Sequence, residues 1–337
     1  MINYSIWKFI KFQDLTDFMT MVKDFKPEIR KSAKQYGDLE LKSEFRKLDG
    51  LEEIEIQQVR FGGYEIKYLA FTANVQTCAL NNETEIYEVK DDEKKIVAFE
   101  KNNCVQVVIL SSLKNAKRVI NKIFGNQLIW GIIEEENYIT EDMLYWFFYK
   151  IREVSNKPIM TNPDIYLEGI YSYLGRTNDK INAVRGVGKR VTALLGTLGM
   201  ILGEESLRAL RPIIQYESQM VNIELYIGNT GKIYDTTYDG DWINQEKLTS
   251  QIELVLLVCK YILPNIRRGY ENDCIKEEWS IKIKQIFLRQ IGNEMGEKVE
   301  IEMEKIEKEL YKLEEENLEQ SEDEEVEIED SEFEIDD

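Results

Sequence analysis

Residues 183–195 read AVRGVGKRVTALL, in which two glycines and two cations directly precede an apolar, helical pattern. Glycine lets a backbone approach an anion closely, and the free N–H groups at a helix start attract phosphate. Lys189 and Arg190 would add positive charge there. A nucleotide-binding P-loop, however, requires GxxxxGK followed by Ser or Thr. Ala183 replaces its first glycine and Arg190 replaces its magnesium-binding hydroxyl, so the sequence excludes a P-loop.

The longer stretch INAVRGVGKRVTALL, residues 181–195, resembles the helix-hairpin-helix motif of DNA-binding and repair proteins. The resemblance implies a first helix that ends near Val184, a Gly-apolar-Gly turn, and a second helix. It also implies that backbone N–H groups of the turn bind a nucleic-acid phosphate, helped by the cations. The residues of this predicted contact are Gly186, Val187, Gly188, Lys189 and Arg190. The alternative is a plain glycine turn in front of a core helix.

A set of oxygen ligands lies in YDTTYDGDWINQE, residues 234–246. Asp235, Asp239 and Glu246 occupy the first, fifth and twelfth positions of a calcium-binding EF-hand loop, where carboxylates converge on the ion. Trp242 departs from the pattern, because that position usually holds a small aliphatic residue. We expect no cofactor other than a divalent metal at these residues, and the alternative is an Asp-Gly turn before a helix.

Glu88 and Lys90 in the strand-like segment IYEVK have the Glu-x-Lys spacing of the PD-(D/E)xK nucleases. Those enzymes hold a metal between that glutamate and an upstream aspartate. No aspartate lies between Leu51 and Lys90, so Glu65 would have to supply the second carboxylate. The alternative is that these charges lie on the solvent face of an ordinary strand.

The residue types that are absent also limit the chemistry. The chain contains no histidine, which excludes Ser–His–Asp and Cys–His nucleophile systems. Its four cysteines have no paired spacing, which is typical of a reducing cytoplasm. No uninterrupted apolar stretch is long enough to span a bilayer, so we expect no membrane contact.

Hydrophobic periodicity predicts an α+β protein. An antiparallel β-meander, from GGYEIKYLAF to CVQVVILSS, dominates the first half, and the second half mixes strands and helices. The aromatic run in the predicted helix YITEDMLYWFFYKIREV should lie in the core. We predict an α+β domain over residues 1–130, a second one over 131–290, a charged helix over 291–320, and a disordered acidic tail over 321–337.

The negative charge is concentrated at the C-terminus. The chain of 337 residues has a net charge of −20, and residues 291–337 contain 22 acidic and 4 basic residues. The first 290 residues are therefore nearly neutral, and within them residues 176–211 contain seven cations and three acids. Interleaved apolar and acidic residues in the tail favour docking on a protein partner or a basic site, and a solubilising role is the alternative.

An apolar seam runs through the predicted C-terminal helix. Met303, Ile306, Leu310 and Leu313 follow one another at intervals of three, four and three residues. This spacing places them on one helix face. The two interpretations are that the seam docks on the body of the protein or that it receives a helix of a partner.

These features together favour a non-catalytic subunit or adaptor of a bacterial nucleic-acid-handling complex, located in the cytoplasm. Nucleic acid would bind at the glycine turn, and a protein partner would bind at the C-terminal helix or tail. One alternative is a metal-dependent nuclease that uses the carboxylates described above. Another is a structural accessory protein of a mobile-element or phage-defence operon.

Overall fold

A computed structural model of the protein describes residues 1–61, 64–154, 157–176, 183–188, 195–202, 206–243 and 246–329. These residues form strands and helices that alternate irregularly along the chain, and the predicted α+β class is confirmed. None of the helices in the described ranges is both long and apolar enough to cross a membrane.

The strands, in chain order, are β1 (Ile2–Phe9), β2 (Glu28–Lys31), β3 (Glu40–Lys47), β4 (Ile56–Phe61), β5 (Tyr64–Val75), β6 (Thr77–Leu80), β7 (Tyr87–Lys90), β8 (Glu93–Lys101), β9 (Cys104–Ile109), β10 (Ile133–Glu135), β11 (Met160–Thr161), β12 (Asp164–Arg176), β13 (Ala183–Val187), β14 (Ser206–Tyr216), β15 (Gln219–Tyr226) and β16 (Thr230–Ile233). The helices are α1 (Leu15–Lys23), α2 (Leu113–Lys122), α3 (Gln127–Trp130), α4 (Glu141–Glu153), α5 (Leu195–Leu202), α6 (Lys247–Leu256), α7 (Leu263–Ile275) and α8 (Ile281–Glu329). A π-helical segment, Leu257–Ile262, joins α6 to α7.

Fourteen of the described strands form one antiparallel sheet. Its order is β11-β12-β14-β15-β16-β1-β9-β8-β5-β3-β2, and β10, β13 and β4 pair with β1, β12 and β5. Strand β1 pairs with β9 on one side and with β16 on the other, so the sheet continues across residue 130. The domain boundary predicted at that residue stays a prediction.

The predicted meander is present with one correction. Strands β5, β8 and β9 are adjacent and antiparallel, as the alternation of apolar residues indicates. The segment between β5 and β8 does not join them in the sheet, because β6 and β7 pair with each other as a separate two-stranded hairpin. Turn residues and polar side chains are compatible with a separate exposed hairpin and also with strands of the meander, so the sequence alone could not distinguish these two arrangements.

Apolar side chains fill both faces of the sheet. On one face α1, α2 and α3 enclose a cluster that includes Phe9, Phe18, Phe71 and Trp130, in which the ring of Phe9 meets those of Phe18 and Trp130 edge to face. On the other face α4, α6 and α7 enclose the larger core. The aromatic run of α4 lies in that core as predicted, with Trp146, Phe147 and Phe148 fully buried. Burying each such ring stabilises the fold by roughly 1.5–3 kcal/mol.

Helix α8 leaves the body after its first few turns. Phe287 and Ile291 are buried against the larger core, and Arg152 of α4 forms an ion pair with Glu294. Beyond these contacts the apolar seam that starts at Met303 is about half exposed, so the predicted docking of the seam on the body is wrong. Helix α8 runs to Glu329, nine residues into the predicted tail. The last eight residues lie outside the described ranges, so disorder of that part of the tail stays a prediction.

A buried carboxylate in α6 makes the stability of the fold depend on pH. Glu253 is 6% exposed, and its Oε2 atom has no hydrogen-bond partner among the described residues. Burial raises the pKa of Glu253 to about 7, because a low-dielectric site disfavours the charged form. The folded state therefore binds more protons than the unfolded state between about pH 4.3 and pH 7, and this group lowers stability as the pH rises through that window.

We predict that Glu253→Gln stabilises the protein by about 3–4 kcal/mol at pH 8 and by only about 1 kcal/mol at pH 5, since the folded and unfolded pKa values differ by nearly three units and each unit corresponds to about 1.4 kcal/mol. The measurement is the free energy of unfolding of both proteins by denaturant titration at several pH values. Glu246, which is exposed at the start of the same helix, provides the matched control Glu246→Gln, whose effect on stability should be much smaller than that of Glu253→Gln at pH 8. A stability difference that is equal at pH 5 and pH 8 would contradict the assignment.

Candidate nucleic-acid interface

One face of the sheet, across β12, β14, β15 and β16, presents tyrosine and cationic side chains. The opposite face of the same strands carries apolar residues of the larger core, including Leu210, Ile223 and Leu225. Side chains alternate along a strand, so residues between these emerge on the far side, and register shifts between β12 and β14 at Tyr171 and Arg208 interrupt this alternation at those two residues. The set on that side consists of Tyr171, Arg208, Arg211, Glu224, Tyr226, Lys232 and Tyr234, which we call the tyrosine–arginine face.

Arg211 is held between two aromatic rings on this face. Its guanidinium carbon lies 4.4 Å from the ring centroid of Tyr171 and 3.4 Å from that of Tyr234. A planar guanidinium stacks well on tyrosine, and the attraction between cation and ring is stronger where water is excluded. The three residues come from β12, from β14 and from the residue that follows β16, so this stack ties the strands together at the surface.

Glu224 anchors the neighbouring cation. Its Oε2 atom accepts hydrogen bonds from Lys232 Nζ at 2.8 Å and from the Tyr234 hydroxyl at 3.0 Å. Burial raises the pKa of Glu224, but these two donors outweigh burial and hold the pKa below its ordinary value. The same pairing holds the pKa of Lys232 above its ordinary value although burial lowers it. The carboxylate therefore stays ionised and is neutralised locally, which limits its repulsion of an anion.

A cavity of about 520 Å³ opens at the edge of this face. Arg176 at the end of β12 and Arg208 of β14 line it, together with Tyr226 and Thr230. A second cavity of about 240 Å³ shares Tyr226 and Thr230 and reaches Lys232. The described residues that line the two cavities include these cations and no carboxylate. The Nε atom of Arg208 is buried and has no hydrogen-bond partner within the described ranges.

The predicted helix-hairpin-helix geometry is wrong. Residues Ala183–Val187 form β13, which pairs antiparallel with the end of β12, where Gly186 lies opposite Tyr173. The N–H group of Gly188 donates to the carbonyl oxygen of Tyr171 at 2.9 Å and is already satisfied. Gly188 has a φ of +137°, a conformation that suits glycine at the end of a strand. Lys189 and Arg190 lie outside the described residues, so their predicted contact with phosphate stays a prediction.

The position of β13 nevertheless connects the sequence prediction to the tyrosine–arginine face. Ala183 lines the larger cavity beside Arg176, and Arg185 lies on the same strand opposite Leu174. The local basic region of the sequence, residues 176–211, therefore contributes three of the cations at or next to this face: Arg176, Arg208 and Arg211.

The predicted calcium loop is not formed. The Asp235 carboxylate pairs with the amino group of Met1 and accepts a hydrogen bond from Gln251 at 3.0 Å. Asp239 pairs through its backbone with Met220 and does not join Asp235 and Glu246 around a common site. In the part of the chain that the structure describes, no three Asp, Glu or Cys side chains are grouped as a metal site.

The Asp-Gly dipeptide in this loop has a packing explanation. A Cβ atom at Gly240 would overlap the side-chain amide of Gln219. That amide accepts hydrogen bonds from the Tyr238 hydroxyl and from the Asp241 N–H group, and donates to the Asp241 carboxylate at 2.7 Å. The close approach of Gln219 therefore requires glycine at position 240. This packing requirement accounts for the Asp-Gly pair that resembles a calcium loop.

The carboxylates of the predicted nuclease site are far apart. Glu65 lies near the start of β5, whereas Lys90 lies opposite Thr77, just beyond the other end of β5. Ten residues of extended strand separate these ends by about 33 Å. Glu88 is exposed on the separate hairpin and accepts a hydrogen bond from Asn81 at 2.9 Å. Glu65, Glu88 and Lys90 therefore do not share a site.

A comparison of the sequence with profiles of known protein families and with curated proteins finds no match. The tyrosine–arginine face was missed in the sequence because its members come from four strands. The signal was present in part. Tyr226, Lys232 and Tyr234 flank the turn-forming residues Asn229-Thr230-Gly231, and Lys232 and Tyr234 are separated by one residue, as two residues on one strand face must be.

Proposed function

We propose that the protein is a non-catalytic subunit or adaptor of a bacterial nucleic-acid-handling complex, acting in the cytoplasm. In this proposal the tyrosine–arginine face binds the sugar–phosphate backbone of a single-stranded segment. The observation that carries the proposal is the cavity that Arg176 and Arg208 line beside Tyr226, with no carboxylate among its described lining residues. The protein partner would bind at the C-terminal helix or acidic tail.

The chemistry of this face suits single-stranded nucleic acid better than a duplex. Single strands bind to sheet surfaces through cations that follow the phosphates and aromatic rings on which bases stack. Tyr226 lines both cavities, with Lys232 Nζ 5.1 Å from its ring centroid. Thr230 adds a hydroxyl donor. The stacked Arg211 contributes positive charge and keeps the strands at a fixed spacing.

The distribution of carboxylates favours a binding role over the nuclease alternative. A two-carboxylate metal mechanism requires the acids to contact the same ion. Glu65 and Glu88 lie on different sheets at opposite ends of β5, and Asp235 is occupied by the amino terminus and Gln251. The carboxylates that suggested a nuclease in the sequence therefore do not support that alternative.

The first test removes the positive charges that line the larger cavity. Arg176→Gln with Arg208→Gln should lower the affinity for a single-stranded oligonucleotide about tenfold at low salt. It should also flatten the log–log salt dependence by about 0.7 for each lost phosphate contact. The measurement is fluorescence anisotropy across a salt series. Lys282→Gln with Arg289→Gln, two exposed residues of α8, is the control with the same change in net charge.

An equal loss of affinity in that control would show a non-specific charge effect and contradict the proposal. The same conclusion follows if the intact protein binds no oligonucleotide at low salt. Replacing Lys189 and Arg190 with Glu in the same assay tests whether the basic segment after β13 extends the contact. Thermal unfolding of each variant checks that the fold is kept.

The second test separates stacking from charge. Tyr226→Leu should weaken binding of a single-stranded oligonucleotide about tenfold, because stacking of a base on an aromatic ring contributes about 1–3 kcal/mol. Tyr226→Phe keeps the ring and should keep affinity within about twofold. Binding of a duplex of the same length should change much less in both variants. Equal effects of Leu and Phe would mean that the ring does not stack on a base.

A further inference from the structure

The projecting part of α8 carries an apolar seam that the body leaves uncovered. Its residues are Val299, Met303, Ile306, Leu310 and Leu313. They follow one another at intervals of four, three, four and three residues, which is the a/d spacing of a coiled coil. Their exposed fractions lie between 46% and 56%. The seam therefore has the geometry of one helix of a two-helix coiled coil whose second helix is supplied by another molecule.

The positions beside the seam are all acidic. With Met303 and Leu310 at a positions, the e positions are Glu300, Glu307 and Glu314, and the g positions are Glu302 and Glu309. The four lysines of this segment, Lys298, Lys305, Lys308 and Lys312, fall at c and f positions, away from the contact. Side chains at e and g set the choice of partner in coiled coils, because they face the corresponding positions of the other helix.

We infer that the seam binds an amphipathic helix of a partner protein that has apolar a and d residues and Lys or Arg at its e and g positions. This inference deepens the adaptor role and rests on the partner binding proposed above. A second copy of this chain does not fit. In a parallel pair each g residue faces an e residue, and in an antiparallel pair e faces e and g faces g. Either arrangement places glutamate against glutamate.

The attachment of α8 prepares this segment for binding. Phe287 and Ile291 fix the start of the helix in the core, and Arg152 pairs with Glu294 one turn further along. A helix that continues from an anchored turn does not have to form a new nucleus, which is the unfavourable step for a short helix. Preorganisation of this kind lowers the ordering cost of binding and so favours a reversible contact over this short segment.

The test uses the full chain and a charge-reversed copy of it, in which Glu300, Glu302, Glu307, Glu309 and Glu314 are replaced by Lys. Sedimentation velocity of each protein alone should show monomers, because like charges then flank the seam. A mixture should form a one-to-one complex at least about tenfold tighter than either self-association, and the complex should weaken as salt screens the charges. Self-association of the unmodified chain through α8, or a mixture that stays monomeric, would overturn the inference.

Matched variants locate the contact on the seam. Ile306→Asp with Leu310→Asp in the unmodified chain should abolish the mixed complex. Ile301→Asp, at an f position with a similar exposed fraction of 54%, should leave it intact. Loss of the complex with Ile301→Asp would place the contact elsewhere and overturn the inference.

The same variants separate this inference from the nucleic-acid proposal. Ile306→Asp with Leu310→Asp should bind a single-stranded oligonucleotide as tightly as the unmodified chain does. If the mixture forms no complex while oligonucleotide binding is intact, only the inference that the seam binds a partner helix is overturned. If the complex forms but the protein has no affinity for oligonucleotides, the partner-helix inference is supported. The proposal that the tyrosine–arginine face binds nucleic acid is then overturned.

Discussion

Strand β1 is the constraint on which the rest of the structure depends. It pairs with β9 from the first half of the chain and with β16 from the second. The pairing with β16 joins residues that are more than 220 positions apart in the sequence. Its alternate residues enter two cores, with Ile2, Tyr4 and Ile6 on one face and Trp7 and Phe9 on the other. A strand buried on both faces cannot shift register without exposing apolar groups, and the whole sheet is therefore held in one alignment.

The open face follows from how the helices are distributed over this sheet. Helices α1, α2 and α3 all come from the first 130 residues and cover one face of the first half only. Helices α4, α6 and α7 cover the opposite face along both halves, because the larger core contains Tyr68 and Phe99 of the first half as well as Leu210 of the second. The tyrosine–arginine face is the remaining side of the strands of the second half. Its polar side chains have to satisfy one another, which Glu224, Lys232 and Tyr234 do by hydrogen bonding.

Local periodicity was sufficient to predict most of the elements. Alternation identified β5, β8 and β9, and the helical period identified α4. The failures occurred where two structures share one pattern. Gly186 and Gly188 fit a turn between helices, yet the segment is a strand because β12 offers a pairing edge. The seam of α8 satisfies the period of a docked helix, and only the tertiary structure shows that the body does not cover it.

The candidate site could be predicted only as a region of charge. The excess of cations between residues 176 and 211 is visible in the sequence, and two of its described members, Arg176 and Arg208, line the cavity beside β12 and β14. The pairing of Arg211 with two tyrosines from other strands depends on sheet order, which no local pattern encodes. In the same way Glu65 and Glu88 are near each other in the sequence, and the length of β5 between them keeps them apart in the fold.

The direction of α8 also explains how one chain can carry an acidic segment and a basic face together. The helix continues for some 34 residues beyond Met295, the last apolar side chain that packs on the core, which corresponds to about 50 Å. Electrostatic interactions at physiological salt are screened over about 8 Å. Most of the glutamates of the helix therefore lie several screening lengths from its anchoring point. A flexible segment of the same charge could fold back onto a cationic face, whereas a continuous helix keeps its acids along its own axis, where a basic partner helix can reach them.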